Sequence, residues 1–337
     1  MNINLDIVLI SLSGLLGFST TYLIKEYLGQ TLIDIPTDRS SHKNPTPRGG
    51  GLGFIVTFLL TNTSTLFIHS LNTLNFTAIW LILIPLSIVG FLDDRYNLSA
   101  GLRYLVQLSV AAIAIYAFPT LPLPGLNTLG LTGQILEAVI TAIAFTALIN
   151  FYNFMDGLDG LVASVTALQL GFLALYLHQP LWWLLAAALL GFLYWNWSPA
   201  KVFMGDVGST VLGATIGIAL LNSPNPGQLW SALPITLPLI GDAIYTLIRR
   251  LLKRENIFQA HRTHLYQRLQ QSGWTHSQVA IAYLLLTSLI ALLISILGSL
   301  GSGLSGGTCD GCDRIRRTLS PNPKRGPPLK PINLTAR

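Results

Sequence analysis

The stretch that decides the fold is T-A-I-W-L-I-L-I-P-L-S-I-V-G-F-L, from Thr77 to Leu92, followed at once by Asp93, Asp94 and Arg95. With its flanks this uncharged run approaches the roughly 20 apolar residues that a helix needs to cross a bilayer. It lacks the apolar/polar alternation of a barrel strand, and a segment in hydrocarbon must satisfy its own backbone hydrogen bonds, so helix is the expected state. The charges begin where the apolar run stops, which places two carboxylates at a membrane surface.

Working outward, nine further runs of the same kind cover most of the chain: Ile7 to Ile24, Leu52 to Ile68, Leu102 to Phe118, Gln134 to Asn153, Leu158 to Leu177, Leu181 to Trp197, Ser209 to Leu221, Leu229 to Ile248 and Gln278 to Leu297. The first has no Lys or Arg before it and no small-residue cleavage site, so it reads as a retained helix and not as a signal peptide. The expected fold is an all-α, polytopic integral membrane helical bundle of about ten transmembrane helices. Residues 1–300 form one transmembrane domain. Residues 301–337, basic and rich in Gly, Ser and Pro, read as a disordered or aberrant tail.

Composition excludes other classes. Of 337 residues, 51% are apolar and 10% charged, against about 25% charged in soluble domains. The formal charge of +6 is misleading, because seven of the 20 basic residues lie from Arg314 onward. Residues 1–300 hold 13 basic and 12 acidic side chains, which leaves no basic face for a nucleic acid. Both cysteines, Cys309 and Cys312, fall in the tail, where a single C-x-x-C lacks the second ligand pair of a zinc site.

The 13 basic residues before the tail all fall at alternate connections or the adjoining helix ends. By the positive-inside rule that face is cytoplasmic and the N-terminus is outside. Trp182, Trp183 and Trp230 near the outer ends, and Trp195, Trp197 and Trp274 near the inner ends, are expected in interfacial belts.

The chemistry concentrates on the same face. Asp93, Asp94, Asp156, Asp159 and Asp206 all sit where a helix meets it, and such carboxylates repel one another unless a cation binds among them. An all-oxygen cluster suits Mg²⁺, or Mn²⁺ in its place, shared with substrate phosphates. Asn150, Asn153, Asp156 and Asp159 recur every third residue, a spacing that aligns side chains along one side of a helix. In K-V-F-M-G-D-V-G-S, Lys201 offers a cation, Phe203 a stacking face and Asp206 a hard oxygen ligand. In H-R-T-H-L-Y-Q-R-L, His261 and His264 with Arg262 and Arg268 suit phosphates or proton transfer. The loop R-S-S-H-K-N-P-T-P-R-G-G-G, with His42, Lys43 and Arg48, reads either as a phosphate-gripping lid or as a plain basic surface loop; no Walker spacing is present. Arg103 and Gln107 face one way on the fourth helix, and Asp242, after Pro234 and Pro238, reads either as a cavity residue at a kink or as a snorkelling carboxylate.

Taken in order, Asp93-Asp94, N-x-x-N-x-x-D-G-x-D-G-L from Asn150, K-V-F-M-G-D-V-G-S and H-R-T-H-L-Y-Q-R-L resemble the polyprenyl-phosphate N-acetylhexosamine-1-phosphate transferases, relatives of phospho-N-acetylmuramoyl-pentapeptide transferase, over about residues 30–275. The resemblance implies transfer of a sugar 1-phosphate from a UDP-N-acetylhexosamine to undecaprenyl phosphate, releasing UMP, at the cytoplasmic face of a bacterial inner membrane. It implies Asp206 and Asp156 as Mg²⁺ ligands, Asp159 and Phe203 on uracil, and Asn153 on the nucleotide or metal. Asp93 and Asp94 would face the lipid phosphate, and His261 and His264 the donor diphosphate. Lys43, Arg48, Arg103, Asn150, Lys201 and Arg262 complete the implied substrate-binding set. The partners implied are the two substrates, membrane lipids and a second copy in a homodimer. Members that make the cell-wall precursor carry three adjacent histidines, whereas Arg262 and Thr263 intervene here. The likeness is therefore to the branch that initiates O-antigen or other surface polysaccharides. Arg103 stands where a Lys is usual, and the family's eleventh helix is not legible. The rival class is a polytopic transporter, which would place charges at the bilayer midplane, where Asp242 is the one candidate. A CDP-alcohol phosphatidyltransferase would carry D-G-x-x-A-R, which this chain lacks.

Overall fold

A computed structural model of the protein describes residues 3–36, 44–68, 73–256 and 261–319. His42, Lys43 and the tail from residue 320 lie outside them. All ten apolar runs are helical. They are α1 (Ile3–Leu28), α2 (Gly51–Ile68), α3 (Thr73–Tyr96), α4 (Ala100–Ala117), α5 (Gly130–Met155), α6 (Leu161–Tyr176), α7 (Trp182–Asn196), α8 (Asp206–Leu221), the pair α9 (Pro226–Ala232) and α10 (Leu237–Leu252), and α12 (His276–Leu319); the short α11 (Leu265–Gln271) precedes the last. Among the described residues six spans are long and apolar enough to cross a membrane, and α6, α7 and α8 are shorter apolar helices. The protein is a multi-pass membrane helical bundle.

Local sequence accounts for the breaks. Ser99 caps α4, its hydroxyl accepting from Leu102 N, and Asn225 caps α9 ahead of Pro226, which has no N–H to lose there. Pro234 and Pro238 cannot donate to the preceding turn, so the ninth run passes through a 3₁₀ turn at Leu233–Thr236 before α10. The described residues contain one small sheet, β1 (Ile33–Asp34) antiparallel to β2 (Thr46–Pro47), with Ile33 opposite Pro47.

Helix α8 is the core. Every residue from Val207 to Leu221 is buried, as expected of a helix that is apolar all round, and α3, α5, α2 and α6 pack about it. Trp182, expected at the outer interface, is 1% exposed. Its ring stacks on Phe58 and its indole N–H donates to Gln179 Oε1, so it is a core residue whose polar edge is satisfied internally. The chain divides into units 1–294 and 295–337, and the described backbone of the second unit is helical to Leu319.

Candidate active site

The C-terminal ends of α3, α5 and α10 and the N-terminal ends of α4, α6 and α8 meet at one end of the bundle, where the aspartates gather. Backbone pairing builds the floor. Phe203 N donates to Pro47 O, and Gly50 N and Gly51 N donate to Phe203 O and Met204 O, all at 2.8–2.9 Å. The K-V-F-M-G-D loop is thereby laid against the β2 segment, which delivers Arg48 to Asp206.

Arg48 then bridges two carboxylates, with Nε 2.8 Å from Asp94 Oδ1 and Nη2 2.8 Å from Asp206 Oδ1. Burial disfavours its charge, but Asp94, Asp206, Asp34 and Asp156 more than offset this, and the guanidinium stays charged. Asp94 does not face a pocket. Its side chain is fully buried and accepts from Asp206 N at 2.9 Å and Val207 N at 3.2 Å, capping α8. Gly205, at φ +78°, is required beneath it, because a Cβ there would run into the same carboxylate.

Asp93 accepts from Leu98 N and pairs with Arg103 Nη1, each at 2.7 Å, which ties the α3–α4 turn. Asn153 Nδ2 donates to Asp206 Oδ2 at 3.1 Å, and Asn153 Oδ1 accepts from Ser209. Asn150 and Gln107 exchange amide hydrogen bonds, so the expected face of α4 meets the expected face of α5.

Two cavities open on this cluster. The first, about 220 Å³, is lined by Asp156, Asp159, Asn196, Phe203 and His276 among others. The second, about 430 Å³, is lined by Asp93, Arg103, Asn150, His261 and His264, with Val89, Tyr104, Phe154 and Leu247 supplying apolar wall. Asp206, Asn153 and Gln267 line both. The carboxyl of Asp156 is pushed up to about 8 by burial and then by Asp206, with Arg48 only partly opposing. Asp159 is held below the usual carboxylate range: burial would raise it, but hydrogen bonding and charge from His276, and then Ala200 N, outweigh that. Burial, then His264 and Arg250, lowers His261 to about 4, so at neutral pH it is an uncharged imidazole that donates and accepts.

Besides Asp94, two residues expected at the site line neither cavity. Lys201 Nζ lies 5.0 Å over the Tyr194 ring and 5.3 Å over that of Trp195, while Arg262 accepts from Gln271 through its carbonyl. Sequence reasoning missed His276, whose Nδ1 is 3.2 Å from Asp159 Oδ2. It also missed Asn196, whose Oδ1 accepts from Gly160 N and whose amide donates to Val202 O. Their only signal was a polar residue at the inner end of an apolar run.

Residues 76–223 match the family described as Glycosyl transferase family 4. Over 303 residues the chain is 30% identical to an undecaprenyl-phosphate alpha-N-acetylglucosaminyl 1-phosphate transferase of Yersinia pestis, covering 81% of this chain and 78% of that protein. The chain belongs to glycosyl transferase family 4. It is also 28% identical over 268 residues to a probable undecaprenyl-phosphate N-acetylglucosaminyl 1-phosphate transferase of Bacillus subtilis, covering 75% of this chain and 74% of that one. With the phospho-N-acetylmuramoyl-pentapeptide-transferase of Deinococcus radiodurans it shares 28% identity over 297 residues, 83% of this chain and 94% of that one. In this family 4 transferase the matched segment holds all five clustered aspartates, while Arg48, the histidine loop and His276 come from outside it. Replacing His276 by Ala frees Asp159 from its partner within the first cavity. Steady-state kinetics should show the KM of the substrate that occupies the first cavity raised about tenfold, with that of the substrate in the second cavity within about twofold.

Proposed function

We propose that this transferase moves an N-acetylhexosamine 1-phosphate from a UDP-sugar to undecaprenyl phosphate, giving the undecaprenyl diphosphate sugar and UMP. The reading is carried by one observation: a polar cavity and a half-apolar cavity share Asp206 and Asn153 as a common wall. A water-soluble nucleotide and a lipid phosphate can therefore approach one group from two sides. The first cavity offers Phe203 and Asp159 to the base, and the second offers Arg103 to an anionic headgroup. Beyond it, Phe151 and Ile244 line an apolar cavity of about 290 Å³, one helical turn from Phe154 and Leu247 on the same two helices. That succession suits an isoprenoid chain lying along α5 and α10.

The bonds balance without a proton. An oxygen of the acceptor phosphate attacks the sugar-bearing phosphorus of the donor, and the bridging oxygen leaves with UMP. A phosphate dianion is already a nucleophile, so Asp93 is needed to orient Arg103 and not as a base. Chain residues supply positioning and charge.

The residues fit Mg²⁺. The donor atoms are all oxygen, and Asp156 is a half-buried carboxyl that lines the first cavity beside Asp206. Among the described residues no three His, Cys, Asp or Glu side chains form a ready-made set, as expected where one or two carboxylates share the ion with substrate phosphates. Asp206 and Asp156 would hold it, and when bound it supplies neutralisation of the diphosphate. The site lies at the cytoplasmic face of a bacterial inner membrane, and the separated histidines favour a surface-polysaccharide role.

Purified protein given Mg²⁺, undecaprenyl phosphate and a panel of UDP-N-acetylhexosamines is expected to release UMP with at least one of them. EDTA should stop release, and added Mg²⁺ should restore it. Solute flux without UMP release from any donor would replace this reading with transport.

A further inference from the structure

Asp242 lies within the Pro226–Leu252 span, where an ionised side chain is costly unless it is paired. Its side chain is 1% exposed, so it neither opens to a cavity nor snorkels. Four donors converge on it. Leu265 N and Tyr266 N, the first two amides of α11, donate at 2.7 and 3.0 Å. The Tyr283 hydroxyl of α12 donates at 2.6 Å, and the Thr246 hydroxyl, one turn away, at 3.1 Å. His264 Nδ1 stands 3.5 Å from Asp242 Oδ1, within ion-pair reach though not aligned as a hydrogen bond.

Helix α11 is seven residues long, too short to persist alone, and its leading amides have no partner within the helix. What it carries matters to both cavities. Gln267 lines both, and His261 and His264, just before the helix, line the second. Tyr266 presses its ring against Gly157, and its hydroxyl donates to Phe154 O at the end of α5. The register of the histidine loop against the aspartates therefore depends on the anchor beneath α11.

We propose that Asp242 is a positioning residue of the transfer site: from inside the membrane span it holds α11 by its first two amides, braced by Tyr283, and so fixes His264 and Gln267 at the cavities. With Nδ1 of His264 facing Asp242, the other ring nitrogen is the one left for a ligand. The inference rests on the proposed transfer reaction, and its test separates the two.

Full-length protein in detergent is compared with Asp242→Asn, Asp242→Ala, Tyr283→Phe, His264→Ala and the double variant Asp242→Ala with His264→Ala. Amide exchange over residues 261–272, followed by mass spectrometry, is expected to speed up at least about tenfold in both Asp242 variants, with α8 unchanged. Turnover should fall about 10- to 100-fold in those variants, as for supporting partners of active-site histidines, and less in Tyr283→Phe. If Asp242 acts through the loop, the double variant falls no more than about threefold below His264→Ala alone. Losses that multiply, or Asp242→Asn with wild-type exchange and turnover, overturn the proposal. Should Asp242→Ala fail to fold, Asp242→Asn and Tyr283→Phe decide the same question. Wild-type protein that releases no UMP overturns the reaction instead, while the exchange measurement still decides whether Asp242 anchors the loop.

Discussion

Asp206→Asn is expected to lower the proposed transfer, read as UMP release, by about 10²–10³-fold, equivalent to roughly 3–4 kcal/mol of transition-state stabilisation, while leaving the fold intact. Asp206 is the one carboxylate among the three side chains, with Asn153 and Gln267, that line both cavities. Arg48 at 2.8 Å and Asn153 at 3.1 Å each donate to one of its two oxygens, so an amide of the same shape loses the charge and one of these two hydrogen bonds while keeping the volume. The backbone contacts that seat α8 run through Asp206 N, which the substitution does not alter. The expected signature is a fall in kcat far larger than the loss of stability, with the thermal midpoint lowered by less than in Asp94→Ala because the α8 cap is kept, measured by turnover and by denaturation in detergent. Near-wild-type kcat would remove Asp206 from the chemistry.

Asp94→Ala is expected to act on stability first. The substitution leaves a half-buried guanidinium with one carboxylate instead of two and strips the cap from two amides of α8. The lost cap costs about 1–2 kcal/mol and the weakened pairing of the partly exposed guanidinium about 1 kcal/mol more, a drop in thermal midpoint on the order of 5 °C. Asp94→Asn retains acceptors for the α8 amides and loses only the charge, so it should fall between Ala and wild type. Activity should fall with stability in both, because Asp206 sits at the N-terminus that Asp94 secures. An Asp94→Ala protein that melts with the wild type would show that solvent or another group takes over the cap.

The apolar runs were legible because a bilayer leaves little choice: length and the lack of charge are enough to specify a spanning helix. The gathering of Asp93, Asp156, Asp159 and Asp206 was legible for a related reason, since charged residues are costly within the runs and collect where the runs end. The same logic misjudged individual side chains. Lys201 sits in a charged motif, yet its ammonium rests on Tyr194 and Trp195. Trp182 sits at a run's outer end, yet it is core. Position along the chain sets depth in the membrane, but the direction a side chain takes around a helix depends on which neighbour packs there.

The sequence alone determined that this is a multi-pass helical protein whose acidic groups share one surface, because hydropathy and charge spacing are properties of the chain itself. Only the tertiary structure decided which aspartate does what. Asp93 and Asp94 are neighbours in sequence, yet one braces Arg103 beside a cavity and the other caps α8 in the interior. Adjacent residues on a helix point about 100° apart, so their partners belong to different elements. His276 reaches Asp159 from more than a hundred residues away. Contacts of that kind are set by how helices pack, and no local pattern encodes them.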